Sequence, residues 1–491
     1  MITASCPNCG AEVRFRSHAA VMAVCEFWRT GVLKDAGSVR DLGKISEVLE
    51  DYSPIQLGTS GTWARRPFTV IGRLQLRYEA GFWNEWYLLF DDGQAGWLGD
   101  ASGQFTITLE RRLEGPLPAF GELRAGQYVT VAGERWMAAD VRTARCTGGQ
   151  GELPFRVTDG WQAKVADLRG GGAFLTLDYS DGDRPLAYGG VPVTLDSLRP
   201  QLLRDEQEIA RTAGRLRGKV QALDCPSCGS GIKYLPGMTA NLVCPACSAQ
   251  LDAASPKIEV LRAGERVEAE PTTLPLGAEG KLGSQKLTVI GVMRREDDEG
   301  TGWTEYLLHG LDRSRAGFTW LVETDDGWQR SDAMDLWPDW RGESAMLDNV
   351  SYRWLYDYPA RVTFAAGAFN WRVEVGDVAQ VQEFQSGQVT LAAERSASEI
   401  TWSRSTPVAF DQLKAWFPGV LKATPPPPPR APGKLASATR YRSSAKFLII
   451  AAGVLNAIPL MANFGGTIAF TVLAGLALYL PAIFLDNNDK P

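Results

Sequence analysis

The chain repeats itself. Cys6-Pro7-Asn8-Cys9 returns as Cys225-Pro226-Ser227-Cys228, 219 residues later. Leu57-Gly58 returns as Leu276-Gly277, and Thr69-Val70-Ile71-Gly72 as Thr288-Val289-Ile290-Gly291, at the same offset. Trp83-Asn84-Glu85-Trp86 returns as Trp303-Thr304-Glu305-Tyr306 at 220, and Trp97-Leu98 as Trp320-Leu321 at 223. Matches in one order at a slowly drifting offset mark tandem copies, so the fold has to be one that can be built twice. Each copy opens on a cysteine module and runs on into a longer module.

The longer modules read as β structure. Segments 68–79, 83–90, 104–109, 128–132, 173–177, 362–365, 371–375 and 399–402 are rich in aromatic and β-branched residues. Turn clusters such as Asp91-Asp92-Gly93 separate them. The 16 Trp and 51 Gly of the 491 residues suit short strands and tight loops. The expected fold is mainly β: two tandem units, each a zinc ribbon plus an antiparallel β-barrel or sandwich. Helix is expected over 39–49, where Leu42, Ile45, Val48 and Leu49 share a helical face, and over a connector at 200–217. The boundaries follow as ribbon 1–34, β domain 35–200, connector 201–218, ribbon 219–252, β domain 253–422, Pro-rich basic linker 423–446 and an apolar tail 447–485.

The cysteine modules carry the most specific chemistry. Cys225-x2-Cys228-x15-Cys244-x2-Cys247 is the spacing of a four-thiolate zinc ribbon, in which two tight turns present four sulfurs to a tetrahedral ion. A disulfide pair is the rival reading, and a reducing compartment argues against it. Four protein ligands leave no open position, so such a zinc is structural. In the first copy Cys6, Cys9 and Cys25 keep the spacing, but Trp28 stands at the fourth position. His18 could complete that set only from the middle of the loop, so the first site is expected to be weak or metal-free. Cys146 is isolated and reads as a small apolar residue.

No catalytic set is expected. The two histidines, His18 and His309, leave little for imidazole chemistry. Gly214–Val220 falls one residue short of a phosphate loop, and no nucleophile elbow or dinucleotide fingerprint is present. Strand alternation places Trp83, Glu85, Tyr87 and Leu89 on one face, opposite Asn84, Trp86, Leu88 and Phe90. Glu85, and Glu305 in the second copy, therefore share a face with large apolar groups. Each is either a working acid or base or a structural carboxylate held by hydrogen bonds or an arginine, and the structural reading is preferred. Asp178-Tyr179-Ser180 and Gly151-Glu152-Leu153-Pro154 read as turns.

Charge and hydropathy set the tail apart. The 51 basic and 57 acidic residues give a net charge of −6. Residues 425–491 hold six basic and two acidic residues, +4, which leaves −10 on the rest. An acidic body argues against nucleic acid as a partner. Residues 447–464 and 467–485 carry no charge and are long enough to span a bilayer, with Gly465-Gly466 between them. They are expected to form a transmembrane hairpin, with a soluble helical pair as the alternative. Arg430, Lys434, Arg440, Arg442 and Lys446 place its flank, and the body, on the cytoplasmic side of a bacterial inner membrane. Pro425–Pro429 reads as a polyproline spacer or, alternatively, an SH3-type ligand.

The set CPxCG, Asp41-Leu42-Gly43-Lys44, Leu57-Gly58, TVIG, W-x-E-[WY], Gly151–Pro154, Thr176–Ser180 and Thr194–Leu198 resembles the bacterial domain of unknown function 4178 family, in two copies over residues 1–420. Trp28 departs from the ribbon pattern. The resemblance implies no activity; by gene association it implies a role in envelope stress or polyamine-linked processes. The expected function is a membrane-anchored, non-enzymatic scaffold or adaptor with structural zinc and a protein partner, and no small-molecule substrate is indicated. The alternatives are a nucleic-acid-binding ribbon protein and an enzyme that uses a strand glutamate.

Overall fold

A computed structural model gives the architecture. It describes residues 2–421 outside 18–19, 26–29, 36–37, 45–47, 49–50, 52, 80, 158–160, 206–207, 210–224, 226, 229, 231–240, 248, 253–258, 263–271, 284 and 313–314. Beyond 421 it describes 448–450, 468, 472–474 and 476–477. Two compact units result: Met1–Thr324 with Trp328–Ala423, and Asp325–Gly327 with Thr424–Pro491. Both copies of the repeat lie in the first.

Each copy is an antiparallel sheet whose pairing runs round in a ring of eight strands. In the first the order is Arg66–Arg77, Phe82–Phe90, Ala95–Ala101, Gln104–Glu110, Leu186–Val193, Ala173–Asp178, Gln162–Gly170 and Glu134–Leu153, which pairs again with Arg66–Arg77. The second copy repeats this with Gln285–Glu296, Gly302–Asp312, Arg315–Thr324, Gly327–Ala333, Ile400–Val408, Val389–Arg395, Val378–Ser386 and Val350–Phe369. A closed ring removes the exposed strand edges that invite aggregation. Closure falls to one 20-residue strand per copy, Glu134–Leu153 and Val350–Phe369. Its first part pairs with one neighbour and its last part with another.

The repeated glycines make this closure possible. Gly72 stands opposite Gly151, and Gly291 opposite Gly367. A Cβ on Gly72 would lie 1.9 Å from the Glu152 carbonyl oxygen, and one on Gly151 2.2 Å from that of Ile71. The corresponding distances are 2.7 Å at Gly291 and 2.3 Å at Gly367. Gly151 and Gly367 also have positive φ. Neither contact tolerates a side chain.

The expected alternation along Phe82–Phe90 is present. Trp86, Leu88 and Phe90 pack with Phe68, Val70, Leu98 and Ile107. Tyr87 joins Ile71, Leu74, Leu76 and Trp97 on the other face. Beside them Arg73 donates to Asp51 Oδ2 (2.7 Å) and Asn84 Oδ1 (3.0 Å from Nε), and Asn84 Nδ2 donates to the same Asp51 oxygen (2.7 Å). All three are buried. Each is satisfied by the others, which is the condition for carrying such groups in a core. The two copies also share a core in which Met137 and Ala139 pack with Phe384, Leu391 and Trp402. Val141 N donates to Ser398 O (3.0 Å), and Arg372 pairs with Glu79 (3.0 Å).

Several expectations change. Of residues 39–49, read as a helix, 39–44 belong to the strand Ser38–Lys44 paired with Thr30–Asp35, and 45–47 and 49 lie outside the described residues. Sheet pairing outweighs the helical spacing of a few apolar residues. Trp371–Val375 is not a strand: Trp371 packs on Trp320 at 5.3 Å, and a turn follows in which Asp377 accepts from Glu374 N. In the connector, Gln201 bridges to Ser60 and residues 202–205 are not helical, whereas Glu208 and Ile209 are, with Ile209 N donating to Asp205 O (2.8 Å); the rest lies outside the described residues. The transmembrane hairpin and the multi-pass inner-membrane placement are not supported. Among the described residues no helix is long and apolar enough to cross a membrane. Phe410–Trp416, at 7 residues, rises roughly 10 Å against a hydrocarbon core of about 30 Å. The apolar runs at 447–464 and 467–485 lie largely outside the described residues.

Replacing Gly72 by alanine should lower the stability of the chain by about 3 kcal/mol or more, because backbone has to move. Gly121→Ala meets nothing within 4 Å and should change it by less than about 0.5 kcal/mol. Urea unfolding of the two variants checks the difference.

Candidate functional site

Two kinds of site emerge: the thiol clusters and a cavity between the copies. In the second copy, Cys225, Cys228, Cys244 and Cys247 bring their sulfurs within 4.8 Å of one another. Cys225 and Cys247 stand 3.7 Å apart, and Cys228 and Cys244 3.8 Å. Thiolates at about 2.3 Å from a tetrahedral ion are separated by roughly 3.8 Å, and these two separations match that edge. A disulfide would bring two of them to about 2.05 Å. The turns that aim them share one feature: Cys225 N donates to Ser230 O (2.8 Å) and Cys244 N to Ala249 O (2.9 Å), five residues on in each case.

The first copy repeats the turn, with Cys6 N donating to Ala11 O (2.8 Å). Cys6, Cys9 and Cys25 cluster within the same limit, and Cys9 and Cys25 stand 3.6 Å apart. Either cluster could hold a metal ion. His18 and Trp28 lie outside the described residues. Cys146 belongs to neither cluster and is buried among apolar groups.

The cavity, of about 540 Å³, is lined by both copies. The repeated W-x-E motif supplies matching walls. On each strand the tryptophan indole N–H donates to the glutamate two residues on: Trp83 to Glu85 Oε1 at 2.8 Å, Trp303 to Glu305 Oε1 at 2.7 Å. Strand alternation puts residues i and i+2 on one face, which is why this spacing makes the pair. Sequence reasoning placed both glutamates on an apolar face but not in one cavity.

The two glutamates differ in surroundings. Arg295 Nη1 lies 3.6 Å from Glu305, while the same guanidinium donates to both oxygens of Glu394 at 2.6 and 3.0 Å. Burial opposes the charge on Glu394, and the arginine outweighs it, holding that carboxyl below its ordinary value. Glu305 thus has both an indole hydrogen bond and a nearby arginine, although burial still raises its carboxyl against the pull of Arg295. Among the described residues Glu85 has the indole hydrogen bond and no arginine beside it. Burial is the largest influence on it and pushes its carboxyl up to about 8. The Trp83 hydrogen bond opposes this, and the charges of Asp167, Asp178 and Asp100 add to it. Burial likewise raises Asp100, to about 6 with the charge of Asp51 adding, and Asp140, to about 7 against the pull of Arg142.

Arg142 was missed by sequence reasoning. It bridges the copies, pairing with Asp140 of its own and with Glu399 of the other at 2.6 Å, and it lies 3.8 Å over the Tyr78 ring. Position 142 sits in a run of mixed residues with no periodic signal, and its partner is 257 residues away. Asp178 accepts from Ser180 N (2.8 Å), as a turn aspartate does.

A family model for a domain of unknown function (DUF4178) matches residues 56–194 and 275–410. The chain belongs to that family. Each DUF4178 match begins after a cysteine module, so both thiol clusters stand outside the matched domains. No curated protein matches the chain.

The raised Glu85 gives the DUF4178 pair a pH signature. The unfolded chain releases this proton near 4.5 and the folded chain near 8, so between them the fold holds more protons and loses stability as pH rises. Glu85→Gln should therefore be more stable than the parent at pH 8.5, by on the order of a few kcal/mol, and level with it near pH 4.5. Urea titrations at both pH values read this directly.

Proposed function

We propose that the chain is a non-enzymatic adaptor in which two DUF4178 domains, fused through a common core, form a platform for a protein partner. The four-sulfur cluster carries the reading. Its sulfurs suit a structural Zn²⁺ whose coordination positions are all taken by protein, so the metal clips the second module and has no place for a reacting water. Cys225, Cys228, Cys244 and Cys247 would hold that ion, and Cys6, Cys9 and Cys25 would hold a weaker one. For a partner, the Ser344–Leu347 hairpin offers Met346 and Val350, 49% and 43% exposed, with Leu336 at 53% in the loop before it. Large exposed apolar groups of this kind are common at protein interfaces.

Nucleic acid is disfavoured by the −10 balance outside the tail. One observation favours a second reading, an enzyme: the cavity joins Glu85 and Glu305 to Arg142 and Arg295. A carboxyl that keeps its proton near neutrality is suited to general-acid work. Loss of a measured turnover in Glu85→Gln would establish that reading.

Metal analysis of the purified full chain should show that Cys244→Ser removes one equivalent of zinc, whereas Cys146→Ser removes none. Proximity labelling in cells should enrich the same partner with parent and Cys146→Ser proteins and lose it with Met346→Asp/Val350→Asp. Unchanged zinc in Cys244→Ser removes the structural clip, and identical labelling by all variants removes the partner surface.

A further inference from the structure

The two copies differ at the glutamate they have in common. Glu85 is paired in register with Gly99, and Glu305 with Val322. A Cβ at Gly99 would stand 2.8 Å from Thr106 Oγ1 and 3.7 Å from both carboxylate oxygens of Glu85. Its φ is not in the left-handed region, so the glycine serves space rather than backbone shape. It leaves room beside the Glu85 carboxylate where the second copy has a valine. The neutralising arginine differs too. By the 219-residue offset of the TVIG segment, Arg295 corresponds to Leu76, which is buried in the apolar core. The first copy thus has a buried carboxylate at the cavity wall with no arginine in that place.

The surroundings narrow the ligand. Anions are poorly suited, because the cavity's three arginines are already paired, Arg295 and Arg142 with two carboxylates each and Arg330 with Asp332. A bare divalent ion is also poorly suited. Among the described residues the only groups of three or more acidic, histidine or cysteine ligands close enough for one are the thiol clusters. What remains is a cation that brings its own apolar body. Trp83, Phe174, Trp303 and Trp320 line the cavity and offer faces to such a body.

We propose that the cavity between the copies binds a small organic cation, a primary ammonium on an apolar or aromatic body, with the ammonium against Glu85 in the space kept by Gly99. The ammonium supplies the charge partner that Arg295 supplies to Glu305, and its body takes the place of water against the rings. Glu305 holds the wall and does not contact the ammonium. The site does not depend on the protein-partner surface, so either can fail alone.

The test is calorimetric titration of the full chain at pH 9, where the Glu85 carboxyl, raised to about 8, is ionised and the amine is still largely protonated, with 2-phenylethylammonium as the probe and 2-phenylethanol and 3-phenylpropanoate as the neutral and anionic counterparts. One saturable site is expected, with the ammonium at least ten-fold tighter than either counterpart. Glu85→Gln and Gly99→Val should each weaken it at least ten-fold, while Met346→Asp/Val350→Asp leaves it unchanged. Near-UV circular dichroism shows whether each variant is folded. Should Gly99→Val fail to fold, the parent's preference for the charged probe and the Glu85→Gln loss still decide the matter. No saturation by the ammonium, equal affinity for the alcohol, or unchanged binding in folded Glu85→Gln overturns the proposal.

Discussion

Backbone against backbone, with no side chain between, is the contact on which each half of the body depends. Gly72 meets Gly151 in one copy and Gly291 meets Gly367 in the other, at the point where one long strand passes from one neighbour to the next. In both copies the pairing with the following strand slips by one residue just before this glycine, at Val70/Gly72 and Val289/Gly291. A slip of one residue exchanges the faces of everything beyond it. The slip sets which side chains of the first strand face each core, and hence what stands beside the W-x-E strand. The glycine of TVIG is thus a condition of the ring, and the carboxylate site sits on the strand next to it.

What could be read beforehand follows from how local each interaction is. The duplication, the two-residue alternation on Phe82–Phe90 and the CxxC spacing are properties of short stretches, and each corresponds to a structure that short stretches determine. The spacing of Cys225, Cys228, Cys244 and Cys247 anticipated one cluster of four sulfurs, in which separations of 3.7 and 3.8 Å join one CxxC turn to the other. The helical spacing over Leu42, Ile45, Val48 and Leu49 misled, because Ser38–Lys44 is part of a sheet and its strand pairing is not visible in a four-residue pattern. Trp371 looked like a strand residue because aromatic residues favour strands, yet it serves a ring contact with Trp320.

The cavity was legible only in part. That Glu85 and Glu305 share faces with apolar residues follows from alternation. That they face one space does not, since this requires the packing of one copy on the other. The contacts that hold that packing, Arg142 with Glu399 and Met137 with Phe384 and Trp402, join residues more than two hundred positions apart. Buried arginine between carboxylates is a matter of geometry, because an arginine gains from burial only when its donors are met.

Duplication explains why a costly feature survives in one copy. A buried carboxylate without a counter-charge weakens its own fold, and the second copy supplies a counter-charge in Arg295, which donates to Glu394 and stands 3.6 Å from Glu305. The first copy has the same indole hydrogen bond, the same strand and the same face, yet it has Leu76 in place of the arginine and Gly99 in place of the valine. The two departures leave Glu85 less crowded and less neutralised than its counterpart. A purely structural role for Glu85 would be served better by the arrangement of the second copy. The tandem body places Glu305 in the lining of the same cavity, and the copies share a core beside it. The asymmetry thus lies in the surroundings of one shared glutamate: an arginine and a valine beside Glu305, a leucine and a glycine beside Glu85.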